Sequence, residues 1–375
     1  MATNQQLSTT TTTTITVEGE LPGAVPSSRL LLRLEAALFR SLAYVGACLH
    51  FLASPQPPAP TFTRTVKSTL SSHTGTFTLH VYTPAGYDDA DSDTLYPAVV
   101  NFHGGGFSMG LATDDARFAR VVVETCGAVF VSVAYRLAPE YPFPTAVDDG
   151  ADALLYMIRN AAALHIDPQR LATSGFSAGG NIALTSLLRL GAYLHDEPTT
   201  TTMETSLAEP VPSHRFVATA TWYPVTEYTK TRAARRVASR RPEKTMPPFM
   251  TNLFDNSYVF PPTIDRSDPL LSPSQASDAR LARDMPPHIV FYTCEWDLLQ
   301  AEGEALANRL RDPPLSRDVH YKMIPKMLHG WDKSPNPREL PVGAGALYLE
   351  CCGVLKDAFN VAANAVTGQD LETDT

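Results

Sequence analysis

The sequence predicts an α/β fold with a mostly parallel central sheet and helices on both faces of that sheet. Two observations support this prediction. Short apolar runs alternate along the chain with helical patterns, which indicates parallel strands joined by right-handed crossovers. One of the expected strands is followed by a serine between Gly175 and Gly179, just before a helical pattern. With 375 residues, the chain can hold one large domain of this class or two smaller ones.

Composition narrows the functional classes. The 30 basic and 39 acidic residues give a net charge of −9, which argues against nucleic acid as a partner. A hydrophobic fraction of 44% is ordinary for a globular protein with a sizeable core. The five cysteines are odd in number and match no zinc-site spacing. They are therefore expected to be reduced thiols in a cytoplasmic protein.

The N-terminal segment shows no signal-peptide pattern. Residues 1–28 are predicted to be a disordered tail, because most of them are polar and many are threonine. Residues 29–60 are predicted to form a cap helix and a proline-rich linker that ends it. Within the apolar stretch 30–53, the longest charge-free run is shorter than the ~18 residues of a spanning helix. A packed amphipathic helix is favoured over an interfacial anchor, and an anchor over a spanning helix.

Residues 61–226 are predicted to be the first part of the core. Residues 76–82 alternate between polar and apolar side chains, which indicates a half-exposed antiparallel strand. The later strands are apolar throughout, as expected for strands covered on both faces. These strands are expected at 98–102, 129–134, 170–174, 216–222, 288–293 and 319–324. Helices are expected at 115–126, 146–163, 181–194, 302–310 and 343–361.

Two segments interrupt this alternation. Residues 197–213 are polar and of low complexity, and are predicted to be a surface loop. Residues 227–267 are predicted to be a cap insertion, with seven basic residues from Lys230 to Lys244. A solvated helix face is favoured for this basic run over contact with an anionic substrate or a membrane. The second part of the core is predicted at 268–365, and a tail at 366–375.

Ser177 occupies a turn between a predicted strand and a predicted helix. A serine at such a turn has a strained backbone, so the residues two before and two after it must be very small. The N-terminus of the following helix also directs backbone N–H groups toward any oxyanion that forms there. A Gly-x-Ser-x-Gly motif alone is weak evidence, since composition alone produces it in a fair share of chains this long.

A glycine-rich motif, His103-Gly104-Gly105-Gly106-Phe107, directly follows another predicted strand. Consecutive glycines let backbone N–H groups converge on one point without a side chain in the way. A phosphate loop is the alternative, but no Gly-Lys-Ser/Thr sequence follows. The N–H groups of Gly104 and Gly105, with that of Ala178 after the serine, would form a three-donor oxyanion hole.

These two motifs resemble the hormone-sensitive-lipase-like (HGGG-type) family of the α/β-hydrolase superfamily, over residues 95–335. Three more segments resemble signatures of that family in the same order: residues 135–140, 143–149 and 268–273. The resemblance implies an α/β-hydrolase fold with a helical cap, Ser177 as the nucleophile and the glycine loop as the oxyanion hole.

A serine nucleophile needs a base, and the base needs a carboxylate that orients it. His329-Gly330-Trp331 follows the last predicted strand and resembles the family's His-Gly-Phe, so His329 is the expected base. The segment from Cys294 to Gly303 resembles the family's motif around the acid and aligns Asp297 with it, ahead of Glu295 and Asp268. Other histidines, at 195, 214, 288 and 320, are expected to be structural or to lie at the surface.

One position departs from the family pattern. The residue before the nucleophile is usually aspartate in the family, and here it is Phe176. The effect of this change on the polarity of the pocket and on the reactivity of the nucleophile is left open by the sequence. Aromatic and neighbouring residues near the motifs predict a bulky pocket lined by His103, Phe107, Phe176, Trp296 and Trp331.

The favoured function is hydrolysis of a carboxylic ester with a short-to-medium acyl chain, in which the ester belongs to a small molecule such as a secondary metabolite. The same site could instead serve elimination, acyl transfer or cyclisation, since a fold does not determine a reaction. A non-catalytic receptor is less favoured, because the three triad residues are retained. No metal or organic cofactor is implied. The sequence leaves open a homodimer and a membrane contact, of which the membrane contact is not favoured.

Overall fold

In the computed structural model of the protein, the described residues contain eight strands that form one sheet. The structure describes residues 28–53, 56–88, 94–195, 210–333 and 339–369. The strands are β1 (Phe62–Lys67), β2 (Thr76–Tyr82), β3 (Tyr96–Phe102), β4 (Val129–Ala134), β5 (Ile166–Phe176), β6 (Phe216–Trp222), β7 (His288–Cys294) and β8 (Asp318–Ile324). Their order across the sheet is β1-β2-β4-β3-β5-β6-β7-β8. The α/β-hydrolase fold expected from the motifs is thereby confirmed.

Strand β2 pairs antiparallel with both β1 and β4, as its alternating pattern predicts. All other pairs, from β4 through β3 to β8, are parallel. The sequence analysis missed β1. Only Val66 of this edge strand is buried, so its mostly polar side chains lack the apolar run by which the other strands were recognised.

Helices cover both faces of the sheet. In the core they are α2 (Ala116–Cys126), α3 (Thr145–Arg159), α4 (Ala178–His195), α7 (Asp278–Asp284), α8 (Gln300–Arg311) and α9 (Ala344–Gln369). Helices α2 and α9 pack against each other in one apolar cluster, whereas α3, α4 and α8 belong to a second cluster. Side chains of consecutive strand residues, such as Val99 and Val100, enter different clusters, so the two cores lie on opposite faces.

The remaining helices lie in the two segments that are predicted to form a cap. Helix α1 (Arg29–Cys48) continues as a 3₁₀ turn (Leu49–Leu52), and residues between β6 and α7 contain α5 (Arg232–Ala238) and α6 (Pro248–Tyr258). Helix α1 packs on α6 through Leu32, Leu253 and Phe254. Among the described residues, no helix has the length and hydropathy needed to cross a membrane.

Several predicted boundaries shift in the structure. Strand β5 runs to Phe176 and α4 begins at Ala178, so the turn between them is a single residue. Helix α9 continues to Gln369, into the segment predicted as a tail. The predicted tail 1–28 and surface loop 197–213 lie almost entirely outside the described residues. The division into core and cap segments stays a prediction.

Candidate active site

Ser177 is the one residue between β5 and α4, and its backbone has a φ of 56°. The two flanking glycines are required by close contacts. A Cβ at Gly175 would lie 2.1 Å from the carbonyl oxygen of Gly179, and one at Gly179 would lie 1.9 Å from that of Phe102. Any larger residue would force the helix away from the strand. The prediction that positions two before and two after the serine must be very small is therefore confirmed.

Ser177 is in direct contact with a histidine that is itself held by a carboxylate. The Oγ of Ser177 lies 2.7 Å from Nε2 of His329, and Nδ1 of His329 lies 2.6 Å from Oδ2 of Asp297. Asp297 follows β7 and His329 follows β8, so both are at the carboxyl edge of the sheet with Ser177. The side chains of Asp297 and His329 are 1% and 10% exposed. This arrangement leaves Nε2 free to accept the serine proton when Nδ1 carries the hydrogen.

The other candidate acids and bases have different partners. Glu295 pairs with Arg240 at 3.2 Å near the surface, and Asp268 accepts a hydrogen bond from the backbone of Leu270. His288 and His320 lie 2.9 Å and 2.8 Å from carboxylates, as expected for structural histidines. Within the described ranges, no group of three or more His, Cys, Asp or Glu side chains could hold a metal ion.

The glycine loop after β3 passes directly beside the serine. A Cβ at Gly104 would lie 3.5 Å from the Cβ of Ser177. Gly105 has a φ of 114°, and a Cβ there would lie 2.2 Å from the carbonyl oxygen of Met109. At Gly106, a Cβ would overlap the ring of Phe254 in the cap. A side chain at each of these glycines would therefore meet a different neighbour. For the first glycine it is the turn at Ser177, for the second the backbone at Met109, and for the third the ring of Phe254.

Two cavities meet at Ser177. The smaller, about 30 Å³, is lined by Phe107 and by the mainly apolar residues Ala178, Val225, Tyr228, Thr251, Leu298 and Leu299. The larger, about 480 Å³, is lined by Phe176, Tyr223, Met250 and Lys333 among others. Met246 and Phe254 of the cap line both. The predicted pocket residues Phe107 and Phe176 therefore do border the site.

Three predicted pocket residues do not, and these predictions are wrong. The ring of His103 is 1% exposed and stacks on Tyr135 at 4.3 Å, where it supports the glycine loop from behind. Trp296 lies outside both cavities, with the guanidinium of Arg241 5.4 Å above its ring. Trp331 packs into the apolar core beside α9 and also lies outside both cavities. Residues next to a catalytic motif in sequence need not face the substrate, because neighbouring side chains point in different directions.

A polar network occupies the wall of the larger cavity next to Phe176. The ammonium of Lys333 lies 3.5 Å from the ring centre of Phe176 and 2.8 Å from Asp115. Asp332 accepts hydrogen bonds from the hydroxyls of Tyr223 and Tyr348 and lies 3.3 Å from Lys333. Burial opposes the charge of Lys333, but Asp115 and Asp332 outweigh burial and raise its pKa well above the ordinary value.

Phe176, the residue that departs from the family pattern, is in contact with this network. The ring of Phe176 stacks on Trp222 at 5.3 Å and carries the Lys333 cation on its face. Tyr223 in turn contacts His329 edge to face at 5.0 Å. The sequence offered no signal for the network, because its members are dispersed from position 115 to position 348.

The basic run of the cap insertion is only partly solvated, so the favoured interpretation as a solvated helix face is wrong for two of its members. Arg232 pairs with Asp255 at 2.8 Å, and Arg235 pairs with Glu302 at 2.9 Å, with all four side chains largely buried. Glu302 also accepts a hydrogen bond from the backbone of Thr226. The first pair joins α5 to α6 within the insertion, and the second joins α5 to α8 of the core, so that removal of one partner would leave a buried charge unpaired.

Comparison with known proteins agrees with this geometry. A family profile described as "alpha/beta hydrolase fold" matches residues 99–333. An arylesterase of Saccharolobus solfataricus is 33% identical over 272 residues, which are 70% of this chain and 74% of that protein. Human hormone-sensitive lipase is 37% identical over 95 residues, 25% of this chain and 9% of the lipase.

Solved structures match over most of the chain. The crystal structure of EstE1, a thermophilic carboxylesterase cloned from a metagenomic library, has a TM-score of 0.65 and 26% identity. The match covers 90% of this chain and 99% of EstE1. The match spans less than two thirds of the length of several curated relatives, for example 26% of an AB hydrolase superfamily protein of Schizosaccharomyces pombe and 66% of the carboxylesterase NlhH of Mycobacterium tuberculosis. The chain belongs to the α/β-hydrolase fold family, within its hormone-sensitive-lipase-like group.

Proposed function

We propose that the protein is a carboxylic-ester hydrolase that works through an acyl-enzyme intermediate on Ser177. The observation that carries the proposal is the hydrogen-bonded series from Ser177 through His329 to the buried Asp297. It lies at the carboxyl edge of the sheet, where two cavities give a substrate access to the serine.

The contacts support a two-step mechanism. His329 accepts the proton of Ser177 through Nε2 while Oγ attacks the acyl carbon of the ester. The same imidazole then donates that proton to the departing alcohol. In the second step, His329 takes a proton from water, which attacks the acyl-enzyme, and returns that proton to Oγ of Ser177 as the acid is released. Asp297 accepts a hydrogen bond from Nδ1 throughout, which orients the ring and stabilises its charged form.

The oxyanion of each tetrahedral intermediate is assigned to the N–H groups of Gly104, Gly105 and Ala178. Gly104 adjoins the serine, and Ala178 is the first residue of α4, whose N-terminus favours negative charge. Donors that are held by backbone need no reorientation as the charge develops, so they stabilise the transition state more than the ester.

The unequal cavities support a preference for a small acyl group on a bulky alcohol. We assign the acyl group to the cavity of about 30 Å³, which has room for a group of about two heavy atoms, and the alcohol to the cavity of about 480 Å³. An acyl chain of medium length requires the side chains of Met246 and Phe254, which line both cavities, to move. The flexible side chains of Met246 and Met250 can adapt to the shape of the alcohol. A bulky alcohol of this kind is consistent with an ester of secondary metabolism. The five free thiols support a cytoplasmic location.

The experiment compares the wild type with Ser177→Ala and His329→Ala on a panel of p-nitrophenyl esters from acetate to decanoate. We expect both substitutions to reduce kcat by about 10⁴-fold or more, because nucleophile and base act as a unit. A fluorophosphonate probe should label the wild type stoichiometrically and should not label Ser177→Ala. Turnover near the wild-type level in either variant, with unchanged circular dichroism, would contradict the proposal.

A non-hydrolytic reaction at the same site is the second candidate, and oxygen labelling separates the two. In H₂¹⁸O, hydrolysis places one labelled oxygen in the carboxylic acid product, whereas elimination, acyl transfer or cyclisation leaves the acyl product unlabelled. A receptor without turnover would release no product from any ester of the panel.

A further inference from the structure

Helix α1 is apolar on two sides. On the inner side, Leu32 and Ala36 are buried against the cap. On the outer side, six large apolar side chains are each between 56% and 65% exposed: Leu30, Leu31, Leu34, Leu38, Leu42 and Val45. At 100° per residue, these six positions fall within an arc of about 120°. A contiguous apolar surface of this size on a globular protein marks a binding surface.

The shape of the exposed arc favours a flat partner over a single helix. A helix that pairs with one other helix needs only a narrow seam with a period of 3.5 residues. The arc of α1 is wider, and it extends to the cap insertion, where Phe249 is 60% exposed and stacks on Phe39 of α1 at 6.1 Å. The apolar surface therefore spans two elements.

The same helix borders the route to the serine. Ala43 and Gly46 of α1 line the cavity of about 480 Å³ that reaches Ser177. Met250 of α6, one residue after Phe249, lines that cavity as well. The helix that carries the exposed arc therefore also forms part of the wall of this cavity.

Charge favours an anionic partner. The segments 29–53 and 227–262 contain ten arginines and lysines against four acidic residues, and three glutamates from outside these segments pair with three of the arginines. An excess of three cationic side chains remains there, on a chain whose net charge is −9. The side chains of Lys230, Arg240 and Arg241 are exposed at 66%, 57% and 48%, each beside one glutamate. A cationic cap on an anionic body orients the molecule cap-first toward a negative surface.

We propose that the outer side of α1, with Phe249, docks the protein onto an anionic lipid bilayer. The helix lies in the plane of the interface, with its leucines among the acyl chains and the basic residues of the cap near the headgroups. Docking is a separate property from catalysis and can be measured without turnover.

The test is sedimentation of the full-length protein with sucrose-loaded vesicles of phosphatidylcholine, with and without about 30% phosphatidylglycerol. One variant replaces three outer leucines: Leu34→Ser, Leu38→Ser and Leu42→Ser. The matched control replaces three exposed apolar residues outside the cap: Val342→Ser, Leu349→Ser and Val361→Ser. We expect the vesicle–water partition coefficient of the first variant to be about 30-fold or more below that of the wild type. Each inserted leucine raises this coefficient by a factor of about three to ten.

The control variant should bind the anionic vesicles as the wild type does, and the wild type should bind neutral vesicles more weakly. Both variants should hydrolyse dissolved p-nitrophenyl acetate within about twofold of the wild type, which shows that they are folded. Failure of the wild type to bind, equal binding of both vesicle types, or undiminished binding of the α1 variant would overturn the proposal. A wild-type dimer that becomes monomeric in the α1 variant, without vesicle binding, would also overturn it and identify α1 as a subunit interface.

Discussion

The imidazole of His329 is oriented by contacts on three sides. Asp297 contacts Nδ1, Ser177 contacts Nε2, and the ring of Tyr223 packs edge to face at 5.0 Å. The second carboxylate oxygen of Asp297 accepts a hydrogen bond from the backbone of Leu299, so the acid itself cannot rotate freely. Because these groups are largely buried, loss of one hydrogen bond is not replaced by water.

Asp297→Asn should therefore reduce kcat by about 10³- to 10⁴-fold, because an amide that donates to Nδ1 selects the wrong tautomer of His329. Glu295→Gln is the matched control, since Glu295 is close in sequence but pairs with Arg240 at the surface. We expect that control to stay within about threefold of the wild type in steady-state kinetics. A larger loss in Glu295→Gln than in Asp297→Asn would contradict the assignment of the acid.

Gly105→Ala should reduce kcat by about 10²-fold and also lower the stability of the loop. The added methyl group would meet the carbonyl of Met109, and the φ of 114° is rarely adopted by residues with a side chain. The damage thus comes from displacement of the oxyanion donors and not from a methyl group that crowds the oxyanion.

Gly353→Ala, at a helical site with nothing within 4 Å of the new Cβ, provides the control. It should raise the melting temperature slightly and leave kcat unchanged. Wild-type kcat in Gly105→Ala would show that the loop tolerates a different path.

At the scale of elements, α1 is tied to the oxyanion loop by one arginine. The guanidinium of Arg40 donates to the carbonyl oxygens of Ser108 at 2.8 Å and Ala138 at 2.6 Å, and pairs with Glu140 at 2.9 Å. Ser108 directly follows the glycine loop. A movement of α1 is therefore expected to shift the glycine loop, whose N–H groups are assigned to the oxyanion.

Arg40→Ala should lower kcat on a dissolved short ester by about tenfold, with a smaller change in KM, because a positioning contact of the loop is lost. Arg33→Ala, on the exposed side of the same helix, is the control and should leave both constants within about twofold. Stopped-flow measurement of acylation separates this effect from product release. An increase in KM alone would indicate that Arg40 shapes the pocket and does not position the loop.

For the whole molecule, a carboxyl group buried between α3 and α4 makes stability depend on pH. Burial raises the pKa of Asp148 to about 6, an effect that Arg189 at 2.8 Å opposes only in part. Since this value lies above the unfolded-state value of about 4, the folded protein binds the proton more tightly than the unfolded chain. The stability that this group contributes is complete below about pH 4 and is lost as the pH rises to about 6.

Urea unfolding of the wild type and Asp148→Asn between pH 4.5 and 6.5 measures this effect. The free energy of unfolding of the wild type should fall relative to that of the variant by on the order of 2 kcal/mol over this range. Asp278→Asn, which breaks an exposed pair with Arg309, is the control for the same substitution at the surface, where an ion pair contributes about 1 kcal/mol or less to stability. A pH-independent difference for Asp148→Asn would contradict the raised pKa.

By itself, the sequence determined the α/β fold and the residues that meet at its catalytic edge. Strands covered on both faces must be apolar along their whole length, and the close contacts around Gly175 and Gly179 exclude any larger residue. Such local requirements can be read from consecutive positions. The edge strand β1 cannot be recognised in this way, because only Val66 among its side chains is buried.

Only the tertiary structure decided which side chains line the site and how charges are paired. His103 belongs to the glycine motif, yet its ring stacks on Tyr135 behind the loop. Lys333 belongs to no motif, yet its ammonium group contacts the face of the Phe176 ring. Arg235 is one of seven basic residues in a short run, but it is buried in an ion pair with Glu302, which is 67 positions away in the sequence. Pairings of this kind depend on how distant elements pack, and no pattern of neighbouring residues encodes that packing.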